Sequence, residues 1–135
     1  MPEEIAKPLP EADDASQPFW DGAMHGRLTL MKCSDCGQVR LPSRQHCDNC
    51  LSDRFTWETA SGRGVVRSFG VMHQKYHPGW AAVSPYNITI VELEEGPRMP
   101  TNIVGIPNDQ IRVGLPVIVE FEQHEDVALP KFRPA

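Results

Sequence analysis

Four cysteines are the residues of this chain whose type and spacing most clearly predict a chemistry. They form two Cys-x-x-Cys pairs separated by ten residues, and the sequence contains no other cysteine: Cys33, Cys36, Cys47 and Cys50. Four sulfur ligands at about 2.3 Å around one ion are the ligand set of a structural zinc ribbon, which leaves no position for water or a substrate. We therefore predict one structural zinc ion. A rubredoxin-type iron centre remains the alternative.

Residues beside the cysteines can support such a metal. Gly37 allows the backbone to turn so that its amides face the sulfur atoms. Four thiolates on a divalent cation carry a net charge of about −2, which the nearby Lys32, Arg40 and Arg44 can offset. His46 precedes Cys47 and is a possible competing ligand, although we expect it to be an exposed loop residue.

A helix and three short strands must position these residues. Residues 16–26 combine Ser at the start, Pro in the first turn and Gly at the end, which predicts a short helix with an apolar face. Residues 28–32, 38–41 and 55–59 are predicted strands. The predicted organisation is a flexible lead-in (1–15), an N-terminal helix (16–27), a zinc ribbon (28–62) and an OB-fold (63–135).

The second half of the chain has a purely β pattern. Residues 86–93 alternate apolar and polar side chains, which predicts a half-buried strand. Further strands are predicted at 65–74, 101–106, 117–122 and 127–132. Five short strands in about 70 residues favour a small closed barrel. The predicted fold is mainly β, with an N-terminal helix, a rubredoxin-like four-cysteine zinc ribbon and a C-terminal five-stranded OB-fold barrel.

The loop between the first two barrel strands carries amphipathic side chains suited to contact: Lys75, Tyr76, His77 and Trp80. OB-folds commonly bind ligands near this loop, so we predict a partner or ligand contact there, and a loop folded onto its own barrel is the alternative. His73 and His77 are four residues apart. Because Pro78 follows at once, a helix that would bring them to one metal is disfavoured.

Four residues outside this loop complete the predicted contact set. Phe19 and Trp20 lie on the predicted helix, whose aromatic face must pack on this chain or on another one. Lys131 and Arg133 lie in the closing strand and can meet phosphate groups. We predict that these four contact a partner protein or a phosphate-bearing ligand.

Charge and composition restrict the function further. The formal net charge is −5, and residues 63–135 carry seven basic and eight acidic side chains. A single-stranded nucleic-acid-binding module, the alternative function, needs clustered positive charge. The sequence shows neither a signal peptide nor an apolar run of membrane-spanning length, so we expect a cytoplasmic protein in which thiolates persist.

The sequence lacks common catalytic motifs. The sequence contains no Gly-x-Ser-x-Gly, no His-Glu-x-x-His and no cysteine beyond the two pairs. We therefore predict no catalysis by this chain alone.

The order of these features resembles a known family. The aromatic helix, the two cysteine pairs, the OB-like half and the closing Pro-Lys-Phe-Arg-Pro at 130–134 are similar to the zinc-ribbon plus OB-fold proteins of acyl-CoA metabolism. Members of that family accompany thiolases, hydroxymethylglutaryl-CoA synthase, acyl-CoA hydratases and steroid side-chain aldolases of thiolase fold. The likeness covers residues 16–135.

This resemblance implies a role as a subunit. In the family the zinc is structural, and the OB part helps to bind or pass the CoA thioester. The implied function is a non-catalytic accessory subunit of a thiolase or retro-aldol C–C lyase, within a hetero-oligomer that acts on acyl-CoA. The partner would supply the nucleophile and base.

Overall fold

The structure is a computed structural model that describes residues 9–42, 44–74, 78–81 and 83–135. Its strands form two antiparallel sheets, one of three strands and one of five. In the ranges that the structure describes, no helix is long and apolar enough to cross a membrane.

The smaller sheet contains the cysteine-rich segment. Its strands are β1 (Thr29–Cys33), β2 (Val39–Arg40) and β3 (Phe55–Thr59), in the order β2-β1-β3. β1 pairs with both neighbours, so that Met31 lies between Arg40 and Trp57. The first cysteine pair begins at the end of β1, which confirms the predicted path from strand to cysteine turn and back.

The N-terminal helix α1 (Gln17–Met24) packs on the same chain. It contacts β1 and the last two barrel strands, and its buried residues include Phe19 and Ala23. Ser16 stands at the N-cap without capping the helix by its side chain, because its Oγ donates to Asp13 Oδ1 at 2.7 Å. Gly26 ends the helical turn with a φ of 75°, as its position after the predicted helix indicated.

The larger sheet is the barrel. Its elements are β4 (Arg63–Met72), the short helix α2 (Pro78–Ala81), β5 (Tyr86–Leu93), β6 (Arg98–Thr101), one 3-10 turn (Asn108–Gln110), β7 (Pro116–Gln123) and β8 (Ala128–Pro134). The strand order is β6-β5-β4-β7-β8. The segment after β6 closes the sheet against β8, since Ile103 bridges to Phe132 in parallel. This is the strand order and closure of an OB-fold, and it confirms the predicted fold class.

The predicted third barrel strand, residues 101–106, is wrong for most of its length. β6 instead begins at Arg98 and ends at Thr101. The turn through Gly96 (φ 115°) is tight enough for pairing with β5 to resume at once. Pro100 is tolerated because β6 is the last strand of the sheet on that side.

One hydrophobic core spans the helix, the ribbon and the barrel. Phe19 from the helix and Leu28 and Leu30 from the ribbon belong to the same cluster of buried residues as the barrel's Val66 and Phe132. The pairing of β1 with β3 continues one position further, since Ala60 N donates to Leu28 O at 2.7 Å shortly before the chain enters β4. The two sheets are therefore packed as one body.

Candidate metal centre and aromatic cluster

The four cysteine sulfurs converge on one point. All four ligand atoms lie within 4.8 Å of one another: Cys33, Cys36, Cys47 and Cys50. Two of the sulfur pairs, Cys33–Cys50 and Cys36–Cys47, are 3.6 Å apart. The fold thus brings both predicted pairs together across a separation of ten residues in the sequence.

These distances fit a zinc ion. A regular tetrahedron with metal–sulfur bonds of about 2.3 Å has sulfur–sulfur edges of about 3.8 Å. Observed separations of 3.6 Å match that edge and are far too long for a disulfide, whose sulfurs lie about 2.05 Å apart. The residues present therefore suit a closed tetrahedral site with four protein ligands. A zinc ion held there would supply structural cross-linking.

The backbone adopts the same conformation and makes the same hydrogen bond after each cysteine pair. The residue after each pair has a positive φ, 80° at Gly37 and 65° at Leu51. Each also donates its N–H to the carbonyl of the first cysteine, at 3.0 Å to Cys33 and 2.8 Å to Cys47. Both loops therefore close as the same tight turn. Leu51 adopts a conformation that favours glycine, and its side chain is 76% exposed.

Hydrogen bonds to Cys33 and Cys36 lower the pKa of these two thiols and so favour the thiolate form that binds a metal ion. The backbone amide of Cys36 is the main cause that lowers the pKa of Cys33 to about 6. The Asn49 side chain is the main cause that lowers the pKa of Cys36. The Ser52 amide favours the Cys50 thiolate, but burial and the neighbouring sulfurs outweigh it and raise that pKa to about 12. The pKa values of neighbouring thiols are therefore shifted in opposite directions. A divalent cation would stabilise all four thiolates at once, including that of Cys50.

Polar side chains tie the two cysteine turns to each other. Asp35, in the first turn, accepts hydrogen bonds from Ser52 and Arg54, which follow the second turn. Gln38, which follows the first turn, donates a hydrogen bond to Asp48 in the second turn. The pKa of the Asp35 carboxyl lies below its usual value, first because of Ser52 and then because of Arg54. The sequence analysis missed these cross-links, since only the fold brings the residues together.

The residues predicted to support the metal occupy different environments. Lys32 is exposed, and Arg44 is exposed and paired with Asp48 at 3.5 Å. Arg40 is buried. His46 is exposed and is not part of the four-residue ligand group among the described residues.

A second cluster lies at the barrel and is named here the aromatic cluster: Trp80, Tyr86 and Lys131. The two aromatic rings lie 4.6 Å apart between centroids. The ammonium of Lys131 is 5.9 Å from the centre of the Trp80 ring, within cation–π range. The structure therefore unites two predicted contact residues, Trp80 and Lys131, with Tyr86 as an addition that the sequence analysis did not single out.

A buried polar network fixes the position of this cluster. Asn87 is 4% exposed and uses its side chain to pair with both backbone groups of Ile103, at 2.7 and 2.9 Å. Asn102 donates to the backbone carbonyl of Asn87 and accepts from Lys131. Lys131 is thereby held by the segment that closes the barrel. In the sequence Asn87 shares its parity with the apolar Val91 and Leu93, but the apolar Ile88 and Ile90 have the opposite parity, so the pattern did not predict that Asn87 points inward.

The other predicted contact residues are not gathered into one site. Phe19 is 8% exposed and packs in the core, while Trp20 is half-buried beside it, with ring centroids 4.9 Å apart. Arg133 is exposed and pairs with Glu120 at 3.4 Å. Lys75, Tyr76 and His77 lie outside the described residues.

Three arginines in the described part of the barrel lie next to acidic side chains. Arg67 and Arg98 both pair with Glu92, at 3.4 and 3.7 Å, and Arg133 is paired as described. Neutralised arginines give little of the electrostatic attraction that binding to a phosphate backbone requires. The nucleic-acid alternative gains no support from this arrangement.

Comparison with known families gives matches over both halves. Residues 20–56 match the rubredoxin-like zinc ribbon domain of ChsH2, and residues 57–122 match the C-terminal OB-fold domain of ChsH2. The boundary between the two matches falls within β3.

Known proteins and structures resemble the chain over most of its length. A probable enoyl-CoA hydratase alpha subunit of Thermomonospora curvata is 40% identical over 87% of this chain, but the chain spans only 37% of that subunit. A DUF35 domain-containing scaffold protein of Methanothermobacter thermautotrophicus is 36% identical, with 79% of this chain and 86% of that protein covered. A chain of the Ltp2-ChsH2(DUF35) aldolase structure is 34% identical, with a TM-score of 0.82, and the match covers 93% of this chain and 98% of that chain.

Proposed function

We propose that this chain, which belongs to the ChsH2 (DUF35) family of zinc-ribbon and OB-fold proteins, is the non-catalytic accessory subunit of a thiolase-superfamily enzyme acting on acyl-CoA. The observation that carries the proposal is the similarity to a chain of the Ltp2-ChsH2(DUF35) aldolase structure over 98% of that chain, together with the match of both halves to ChsH2 domains. The relative described as a scaffold protein supports a role without catalysis. The absence of catalytic motifs from the sequence agrees with it.

The partner in this proposal is a thiolase or a retro-aldol C–C lyase, and the two form a hetero-oligomer in the cytoplasm. The partner supplies the nucleophile and base. This chain contributes binding energy and excludes water from the partner's substrate channel. Its zinc ion is structural, because four cysteines leave no open ligand position.

The aromatic cluster is the proposed contact with the acyl-CoA or with the partner beside it. Tyr86 and Trp80 are half-buried, so each retains some exposed ring surface for stacking. Lys131 places a positive charge next to that surface, where it can attract a phosphate group of CoA. The neighbouring Lys75, Tyr76 and His77 are proposed to extend this contact along the loop. Trp20 and Arg133 are proposed as peripheral partner contacts, and Phe19 as the core residue that supports Trp20.

Reconstitution with a thiolase-like enzyme from the same genome tests the subunit role. We expect a stable complex by size-exclusion chromatography with light scattering, no acyl-CoA turnover by this chain alone, and higher turnover by the complex than by the partner alone. Full turnover by the isolated chain, or a partner indifferent to its presence, would contradict the proposal.

Two substitutions in the aromatic cluster test the contact. Trp80→Ala and Lys131→Ala should raise the KM of the complex for acyl-CoA, or weaken the complex itself, by roughly tenfold each, a loss of about 1.4 kcal/mol. Lys32→Ala is the matched control, because Lys32 is an exposed lysine on the ribbon. Equal behaviour of Lys131→Ala and Lys32→Ala would remove the aromatic cluster from the proposal and leave the subunit role standing.

A further inference from the structure

A cavity of about 590 Å³ lies between the ribbon and a turn of the barrel. Residues 37–41 line it from the ribbon, together with Arg44 and Asp48, and the turn 95–98 between β5 and β6 lines it from the barrel. This volume is within the range of small-molecule sites. Among the described residues, the cavity shares none with the aromatic cluster or with the four cysteines.

Buried polar atoms without partners belong to the residues that line this cavity. Arg40 lines it from the ribbon and is 3% exposed, and both of its terminal nitrogens, Nη1 and Nη2, lack a hydrogen bond. Glu95 lines it from the barrel. One carboxylate oxygen of Glu95 accepts from Ser61 N at 2.8 Å, while the other, Oε1, is buried without a partner. In the part of the chain that the structure describes, these are the only buried side-chain nitrogen and oxygen atoms without a partner.

A buried guanidinium with unsatisfied nitrogens is costly. Arginine keeps its charge when it is buried, so it cannot avoid this cost by losing a proton. Its Nε donates to Arg44 O at 3.0 Å, and its central carbon lies 5.4 Å from the centre of the Phe55 ring. Glu95 forms no ion pair with Arg40 in the ranges that the structure describes. Unsatisfied groups at a ligand-sized cavity indicate a partner that binds from outside the chain.

The side chains around the cavity indicate the chemistry of that partner. The terminal nitrogens of arginine form a planar fork that fits a phosphate or a carboxylate. Arg44 and Arg98 also line the cavity. Each forms an exposed ion pair, at 3.5 and 3.7 Å, which contributes little and can be exchanged for a ligand. Three arginines therefore face this space, and they favour the more highly charged phosphate.

Glu95 sets a second requirement. Its Oε1 needs a hydrogen-bond donor, and a fully ionised phosphate ester has no proton to donate. A ligand that satisfies both residues must therefore carry hydroxyl or amino groups in addition to its phosphate. A cavity of about 590 Å³ has room for such a molecule.

We propose that this cavity binds a small phosphate ester that carries hydroxyl or amino groups. The phosphate accepts hydrogen bonds from Nη1 and Nη2 of Arg40, and a hydroxyl or amino group donates to Oε1 of Glu95. Because these nitrogens are buried in the structure, the Arg40 side chain changes rotamer when the ligand binds, as is common in complexes. The site is independent of the proposed subunit function and of the aromatic cluster.

Isothermal titration calorimetry of the full-length, zinc-loaded chain tests the site, at about pH 8 so that phosphate esters are fully ionised. Glucose 6-phosphate carries both required groups and should bind with a Kd below about 1 mM. Methyl phosphate, which lacks a donor, and gluconate, which replaces the phosphate by a carboxylate, should each bind roughly tenfold more weakly. Equal binding of gluconate would overturn the assignment to phosphate. Coenzyme A, the other phosphate ester, should bind more weakly than glucose 6-phosphate, and tighter binding would overturn the independence from acyl-CoA.

Two substitutions identify the contacts. Arg40→Met keeps a long side chain beside Phe55 and should weaken glucose 6-phosphate at least about tenfold, because the charged fork is lost. Glu95→Gln should weaken glucose 6-phosphate by roughly threefold and leave methyl phosphate unchanged, because only the first ligand donates to Glu95. General damage to the fold would affect both ligands alike. Arg112→Met is the matched control, since Arg112 is exposed and does not line the cavity, and it should bind both ligands as wild type does.

A second variant and a second measurement keep the test decisive. If Arg40→Met does not fold with zinc, Arg40→Lys takes its place, because lysine keeps the charge and loses the fork. In the wild-type chain, the Nε–H NMR signal of Arg40, identified by its absence from Arg40→Lys, should shift as glucose 6-phosphate is added. The proposal is overturned by a wild-type chain that binds no glucose 6-phosphate at about 10 mM. Equal affinity in the wild type and the Arg40 variants, or an unmoved signal, would overturn it as well.

Discussion

Replacing Asn87 by Leu should destabilise the barrel more than any exposed substitution, although Leu has a similar volume. The Asn87 side chain serves as a substitute strand partner where β6 has already ended. It accepts from Ile103 N at 2.7 Å and from Thr89 Oγ1 at 2.8 Å, and it donates to Ile103 O at 2.9 Å. Leu at this position leaves three buried polar groups without partners.

The magnitude follows from those three groups. Each unsatisfied buried group costs about 1–3 kcal/mol, and the Thr89 hydroxyl can rotate toward another acceptor, so the total for Asn87→Leu is about 4 kcal/mol. Domains of this size have unfolding free energies of about 5–15 kcal/mol. With a urea dependence of about 2 kcal/mol per molar, the unfolding midpoint should fall by about 2 M.

The assay is urea unfolding of the zinc-loaded chain, followed by circular dichroism. The double variant Asn87→Leu/Thr89→Val should recover about 1 kcal/mol, because Val removes one of the orphaned groups. Asn108→Ala is the control at the edge of the network, where two long hydrogen bonds of 3.2 Å are lost, one from Asn87 and one to Pro85 O, the latter exposed. A cost below about 1 kcal/mol for Asn87→Leu would refute the reasoning that the network closes the barrel.

Three further substitutions test other parts of the structure. Cys36→Ser should abolish stoichiometric zinc binding, measured by elemental analysis against one ion per wild-type chain, and destabilise the ribbon; full zinc retention would contradict a four-sulfur site. Leu51→Gly should raise the free energy of unfolding by roughly 0.5 kcal/mol, because glycine tolerates the φ of 65°, whereas Leu51→Ala should bring no such gain. Gly62→Ala should cost about 2 kcal/mol in a thermal unfolding experiment, since φ is +81° and an added Cβ would lie 2.6 Å from Val119 Cγ1; a neutral effect would show that the backbone there can relax.

The features that the sequence could predict are local ones. The strand Tyr86–Leu93 is observed with its predicted bounds, because a period of two is typical of a strand. The alternation did not identify which face is buried, since Thr89 is buried and Ile88 is exposed. The strand Phe55–Thr59 is also observed as predicted. The four cysteines could be assigned to one centre from their spacing alone, since the Cys-x-x-Cys turn is a short-range geometry.

The features that the sequence could not predict depend on contacts between distant segments. The bounds of β6 are set by pairing with β5 through a tight turn, and an apolar run at 101–106 does not reveal that Ile103 pairs with β8 instead. The burial of Arg40 is equally non-local, because arginine is usually exposed and only the register of β1 with β2 places it inward. The aromatic cluster forms only because Lys131 in the last strand meets Trp80 in α2, about fifty residues earlier in the sequence.

A closed metal site can still support the proposed contact surface on the barrel, because the ribbon and the barrel share one core. Leu28 and Leu30 enter that core just ahead of Cys33, the first metal ligand, and they are buried with Val66 and Phe132 of the barrel. Phe132 directly follows Lys131 in β8, so the packing that orders the ribbon also orders the strand that presents the lysine. Loss of the metal would therefore make the surface around Lys131 less rigid, although no metal ligand lies on that surface. A subunit whose contribution is a rigid contact surface needs such a cross-link, whereas a catalytic zinc would need an open position that this site does not offer.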